Sequence, residues 1–136
     1  MTGLMVCDDL IFTSRVTATA RAKGLTVAPV RSAGQAVQAA KASPPACVIV
    51  DLHNAGADLP ALLAGLREAC PTMPRVIAYG SHVNKDLLQA ARDAGCDLVL
   101  PRSKFAAGLE SELAKWVQTE KRWHADDADS GADTRG

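Results

Sequence analysis

The chain has 136 residues, the size of one ordinary domain and enough to bury a core without disulfide staples. Lys plus Arg number 15 and Asp plus Glu number 15, so the formal net charge is zero and no basic excess points to a nucleic-acid partner. No apolar run approaches membrane-spanning length, and MTGLMVCDD at the amino terminus lacks the basic and long apolar regions of a signal peptide, so no membrane association is expected.

The elements alternate in type along the chain. Leu4 to Cys7 is a short apolar run ending on Asp8 and Asp9. A helical stretch follows from about Ile11 to Lys23, with Gly24 at its end. Leu25 to Ala28 reads as a second strand, and Ser32 is placed to cap a helix through Ala42, stopped by Ser43-Pro44-Pro45. Cys47 to Val50 is the third strand, ending on Asp51. A helix from Leu59 to Ala69 carries Pro60 in its first turn. Arg75 to Tyr79 is the fourth strand, Asn84 to Ala94 a capped helix closed by Gly95, and Leu98 to Leu100 the fifth strand. Ser103 is placed to cap a last helix from Lys104 to Gln118.

Strand and helix thus alternate five times, and the strands are continuously apolar rather than alternating. That pattern predicts an α/β fold: a doubly wound, flavodoxin-like, five-stranded parallel sheet of order 2-1-3-4-5 with helices on both faces. The folded domain is expected over residues 1–119. The polar stretch 120–136, which includes Trp123, is expected to be disordered. Cys7, Cys47, Cys70 and Cys96 form no C-x-x-C pair and match no zinc spacing. They read as reduced thiols, which suits a cytoplasmic protein.

Three acids end strands that this order makes neighbours. Asp8 and Asp9 follow the first strand and Asp51 ends the third, and a doubly wound sheet builds its ligand crevice at that switch point. Converging like charges repel unless neutralised, and a hard divalent cation such as Mg²⁺ neutralises them through oxygen ligands. A single Asp in such a place also serves as a helix cap; a pair plus a third acid points to a metal.

These residues, with AGCDLVLPRSKF around the fifth strand and the overall rhythm, make the sequence similar to the receiver domains of two-component response regulators, over about Gly3 to Val117. The resemblance implies that Asp51 accepts a phosphoryl group from a histidine kinase or phosphotransfer protein. It also implies that Asp9 binds Mg²⁺ directly, Asp8 through water, and His53 through its backbone carbonyl. Signalling would then pass to an output protein by protein–protein contact, with no enzymatic turnover. Departures from the family's pattern are concentrated where phosphorylation is read. The Thr or Ser position ending the fourth strand falls on Gly80, with Ser81 one residue later. The Lys position falls on Arg102, preceded by Pro101 and followed by Ser103. The aromatic switch position falls on Val99. An atypical or pseudo-receiver, binding partners without phosphorylation, is the alternative. A flavodoxin-like ligand binder or enzyme ranks last, because Asp8-Asp9-Leu10 repels phosphate where such a protein needs a Gly- or hydroxyl-rich loop.

Side chains beside the presumed site have plainer readings too. His82 reads first as a solvated loop residue and second as a phosphoryl contact. Lys104 reads as solvated, Cys7 as an inert buried thiol, Trp116 as packing, and Phe12 as the buried face of a helix.

Overall fold

The computed structural model describes residues 2–54 and 56–117. The expected tail, Trp123 and the expected helix end at Gln118 lie outside the described residues. The elements in order are β1 Thr2–Val6, α1 Leu10–Ala22, β2 Thr26–Val30, α2 Ala33–Ala42, β3 Cys47–Asp51, α3 Leu59–Ala69, β4 Arg75–Gly80, α4 Lys85–Ala94, β5 Leu98–Pro101 and α5 Arg102–Val117. All strand pairs are parallel and the sheet order is β2-β1-β3-β4-β5, as the sequence predicts.

Local chemistry sets the helix starts. Asp9, Ser32, Asp58 and Asn84 each accept the backbone N–H three residues on, which satisfies one of the orphan donors of a first turn. Gly24 and Gly95 close α1 and α4 at positive φ, where a Cβ would be strained. Several boundaries shift by one or two residues from expectation, two of them for a visible reason. β2 continues through Pro29 to Val30, because it is an edge strand and tolerates a residue without an N–H. β5 runs straight into α5, which begins at Arg102, so Ser103 lies inside the first turn rather than capping it.

Successive strand residues feed two separate apolar layers. Val6, Val48, Val50, Val76, Ala78 and Val99 pack with α2, α3 and α4. Met5, Cys7, Ile49, Ile77, Tyr79 and Leu98 pack with α1 and α5. This period-two alternation decides which side chains can meet at the sheet's carboxyl edge. Ile49 belongs to the α1/α5 layer and Val50 to the other, so Asp51 falls on the α1/α5 side.

Between α2 and α3 the approach is close enough to need a glycine. A Cβ built on Gly65 would stand 2.5 Å from Val37 Cγ2, and Val37 is stiff at χ1. Overpacking costs about 1–3 kcal/mol, against a helix-propensity gain of about 0.5–1 kcal/mol for replacing Gly by Ala. Gly65→Ala is therefore expected to destabilise the wild type and to stabilise the protein carrying Val37→Ala. Urea unfolding of the four proteins checks that reversal of sign.

Candidate functional site

The carboxyl ends of β1, β3 and β4 meet around Asp51. Its side chain is only 6% exposed, and it is the one buried acid among the described residues. A buried carboxylate needs donors, and it has two. The His53 backbone N–H donates to Oδ1 at 2.9 Å, and the Cys7 thiol donates to Oδ2 at 3.5 Å. Cys7 itself accepts from the Asp9 N–H at 3.4 Å and from the Tyr79 phenol at 3.5 Å.

Asp9 stands beside Asp51 with both oxygens engaged. Oδ1 caps α1 through the Phe12 N–H at 3.1 Å, and Oδ2 pairs with Arg102 at 3.0 Å. The capping reading of this acid is therefore realised, and its second oxygen is taken by an arginine. The Phe12 amide, joined by the Arg102 guanidinium, draws the Asp9 carboxyl below its ordinary value of 3.8 against the opposing cost of desolvation. Arg102 lies over the Phe12 ring, 4.8 Å from its centroid, and 5.9 Å from that of Tyr79. Both contacts are exposed, and screening by water keeps each of them weak. The effect of these contacts is to fix where the guanidinium sits. Asp8, at the end of the same loop, is exposed.

The structure moves one expected position. The place for a hydroxyl at the end of β4 was Gly80 or Ser81. The register instead sets Tyr79 opposite Asp51, with its side chain in the same α1/α5 layer. A Cβ on Gly80 would point the other way, 3.4 Å from both His53 Nε2 and Leu88 Cδ2. Ser81 turns its hydroxyl into its own loop, accepting from the Val83 N–H at 3.3 Å. Tyr79 is fully buried, and burial first, then the hydrogen bond to Cys7 and the charge of Asp51, push its phenol well above the usual range. It remains a protonated donor. Val99, the expected aromatic position, is buried in the opposite layer with Leu88.

The His53 imidazole also has a role the sequence did not show. Its Nε2 accepts the Ser81 N–H at 2.9 Å and ties the loop after β3 to the loop after β4. A Cβ at position 80 would lie in van der Waals contact with that ring. Outside Asp51, an open cleft of about 480 Å³ is lined by Phe12, Arg15, Ser81, His82, Arg102 and Ser103, with Ala106 at its floor. Phe12 is buried as expected, Trp116 is packed, and Lys104 is exposed.

No protein-family model and no curated protein matches the sequence. Solved structures do match. The receiver domain of the Saccharomyces cerevisiae response regulator Ssk1, crystallised with the phosphotransfer protein Ypd1, superposes with TM-score 0.74 at 14% identity, over 92% of this chain and 95% of that one. A Burkholderia pseudomallei response regulator with a phosphorylated aspartic acid, a calcium ion and citrate gives 0.71 at 22% identity, over 96% and 71%. The fold is that of a response-regulator receiver domain. A third structure with the receiver fold, from the Pseudomonas aeruginosa sensor kinase PA1611 with magnesium in its active-site cleft, gives 0.70 at 21% identity, over 85% and 96%.

Asp8, Asp9, Asp51 and the His53 carbonyl are all oxygen donors, the chemistry a hard divalent cation takes. Among the described residues, however, no group of three or more His, Cys, Asp or Glu side chains is gathered closely enough to hold a metal. One oxygen of Asp9 is also engaged by Arg102.

The depressed Asp9 value has a definite sign. Its contribution to stability is present above the ordinary carboxylate value and is lost as pH falls through the depressed one. An NMR pH titration is expected to place the Asp9 midpoint below 3.8. Arg102→Ala should raise it only part of the way, because the larger cause, the Phe12 amide, remains.

Proposed function

We propose that this chain is a receiver module of a phosphorelay, in which Asp51 takes a phosphoryl group from a histidine kinase or phosphotransfer protein. The observation that carries the proposal is Asp51 itself: the one buried acid among the described residues, ending a central strand of a receiver fold. In this reading an Asp51 oxygen forms the new O–P bond while the P–N bond of the phosphohistidine breaks. The electron pair leaves with the imidazole nitrogen. The His53 N–H and the Cys7 thiol hold the carboxylate in place during attack, and Arg102 offers a planar fork to the incoming oxygens.

Mg²⁺ would be held by Asp9 and Asp51, with Asp8 through water and the His53 carbonyl, and when bound it neutralises charge on the phosphoryl oxygens. For that, Arg102 has to release Asp9. Output passes to another protein by contact, and a kinase-coupled relay of this kind works in the cytoplasm. The Ssk1 receiver domain, crystallised with a phosphotransfer protein, supports the choice of donor. The Asp9–Arg102 pair favours a second reading, a pseudo-receiver that binds partners without phosphorylation.

Incubation with a small acyl phosphate and Mg²⁺, followed by intact mass measurement, separates the two. The wild type is expected to gain one phosphoryl group and Asp51→Asn none. A wild type that gains no mass, where a control receiver does, leaves the pseudo-receiver. In a parallel Mg²⁺ titration followed by NMR, Arg102→Ala is expected to bind the ion more tightly than the wild type, because it frees Asp9. Equal affinity would show that the ion pair does not compete.

A further inference from the structure

We propose that Cys7 is a positioning residue for Asp51, and that its thiol joins the Asp51 carboxylate to the Tyr79 phenol in one directed hydrogen-bond chain. The proposal rests on Asp51 being the acceptor and assigns it a holder.

The chain follows from a count of donors. Tyr79 is fully buried and protonated, so its hydroxyl proton must go to a partner, and the partner is Cys7 Sγ at 3.5 Å. The sulfur also accepts the Asp9 N–H at 3.4 Å. With both incoming protons on sulfur, the thiol's own proton is free to point outward. It goes to Asp51 Oδ2 at 3.5 Å rather than to the Asp9 carbonyl at 3.9 Å. Oδ1 is meanwhile fixed by the His53 N–H. Each carboxylate oxygen thus has a donor from a different direction, and the plane of the group is set.

The burial of all three side chains matters. Cys7 is 3% exposed and Asp51 6%, in a layer shared with Phe12 and Phe105. Thiols are weak donors in water, but in such surroundings a hydrogen bond is electrostatically stronger and neighbours in a chain polarise each other. The phenol therefore strengthens the thiol as a donor. Phosphorylation would convert the carboxylate to an acyl phosphate with less negative charge near Cys7, and the thiol would lose its best acceptor. Tyr79 would feel that change directly. Its ring stacks on Phe105 of α5 at 4.6 Å, and Phe105 on Trp116 at 5.2 Å.

The S–H stretch reports the contact without any phosphorylation. Infrared difference spectra of the full chain, each protein measured against the same protein carrying Cys7→Val, isolate the Cys7 band. The band is expected at low frequency in the wild type, to rise in Asp51→Asn, and to rise less in Tyr79→Phe. A band that Asp51→Asn leaves unmoved overturns the proposal. In the second arm, Cys7→Val is expected to take up phosphoryl from a small acyl phosphate roughly 2- to 10-fold more slowly, the range one hydrogen bond supplies. Cys7→Ser, which can accept and donate in the same way, should restore most of the rate. A Cys7→Val protein that reacts at the wild-type rate also overturns it. A wild type that takes up no phosphoryl group removes the signalling reading, while the thiol band still decides whether Cys7 holds Asp51.

Discussion

A carboxylate at the end of a central strand, closed off from water, has to be met by donors, and the surroundings of Asp51 are organised by that need. One donor comes from the chain itself two residues on, where the backbone turns back to present the His53 N–H. The other comes from the neighbouring strand's end, and it reaches Asp51 only because β1 and β3 are adjacent and in register from Gly3 and Cys47 to Val6 and Val50. Strand order therefore acts on the site directly: without β1 next to β3 neither Cys7 nor Asp9 would stand near the acid.

The same alternation that builds the two apolar layers sorts the site's side chains. Cys7, Asp51 and Tyr79 face α1 and α5, where the aromatic rings of Phe12, Tyr79, Phe105 and Trp116 form a continuous series of contacts. Arg102 closes the top of this series, its guanidinium over Phe12 and its charge on Asp9. On the opposite face, the His53 ring lies beside Gly80 and binds the Ser81 amide. The site thus has one side under α1 and α5, where a hydrogen-bond chain is enclosed, and an opposite side, where two loops are tied together.

The five-fold rhythm, the strand order and the places of Asp8 and Asp9 after β1 and of Asp51 at the end of β3 were legible in the sequence, because apolar runs ending on acids and glycines ending helices are local signals, though the three carboxylates are not gathered into one group. What escaped was set by pairings between distant segments. Counting along the chain put the last position of β4 at Gly80, but facing is decided by register, and register puts Tyr79 on Asp51's side. The Asp9–Arg102 pair spans 93 residues and the His53–Ser81 contact 28, and no local pattern announces either. Ser103 looked like a cap because its residue type suits one. The chain instead enters α5 directly from Pro101, and the cap position does not exist. Pro29 stopped the reading of β2 early for a similar reason, since a proline argues against a strand until the strand is known to lie at an edge.

That proline has a consequence for how the molecule meets its own kind. The Val30 carbonyl accepts from the Cys7 N–H, so the polar groups of Val30 face β1 and those of Pro29 face outward. A strand from another chain seeking to pair along β2 would find a ring where it needs a donor. β5 at the other edge is only four residues long, and short edges offer little to template. The sheet is therefore poorly suited to growth by strand addition at either side, which guards a chain of zero formal net charge against edge-to-edge aggregation.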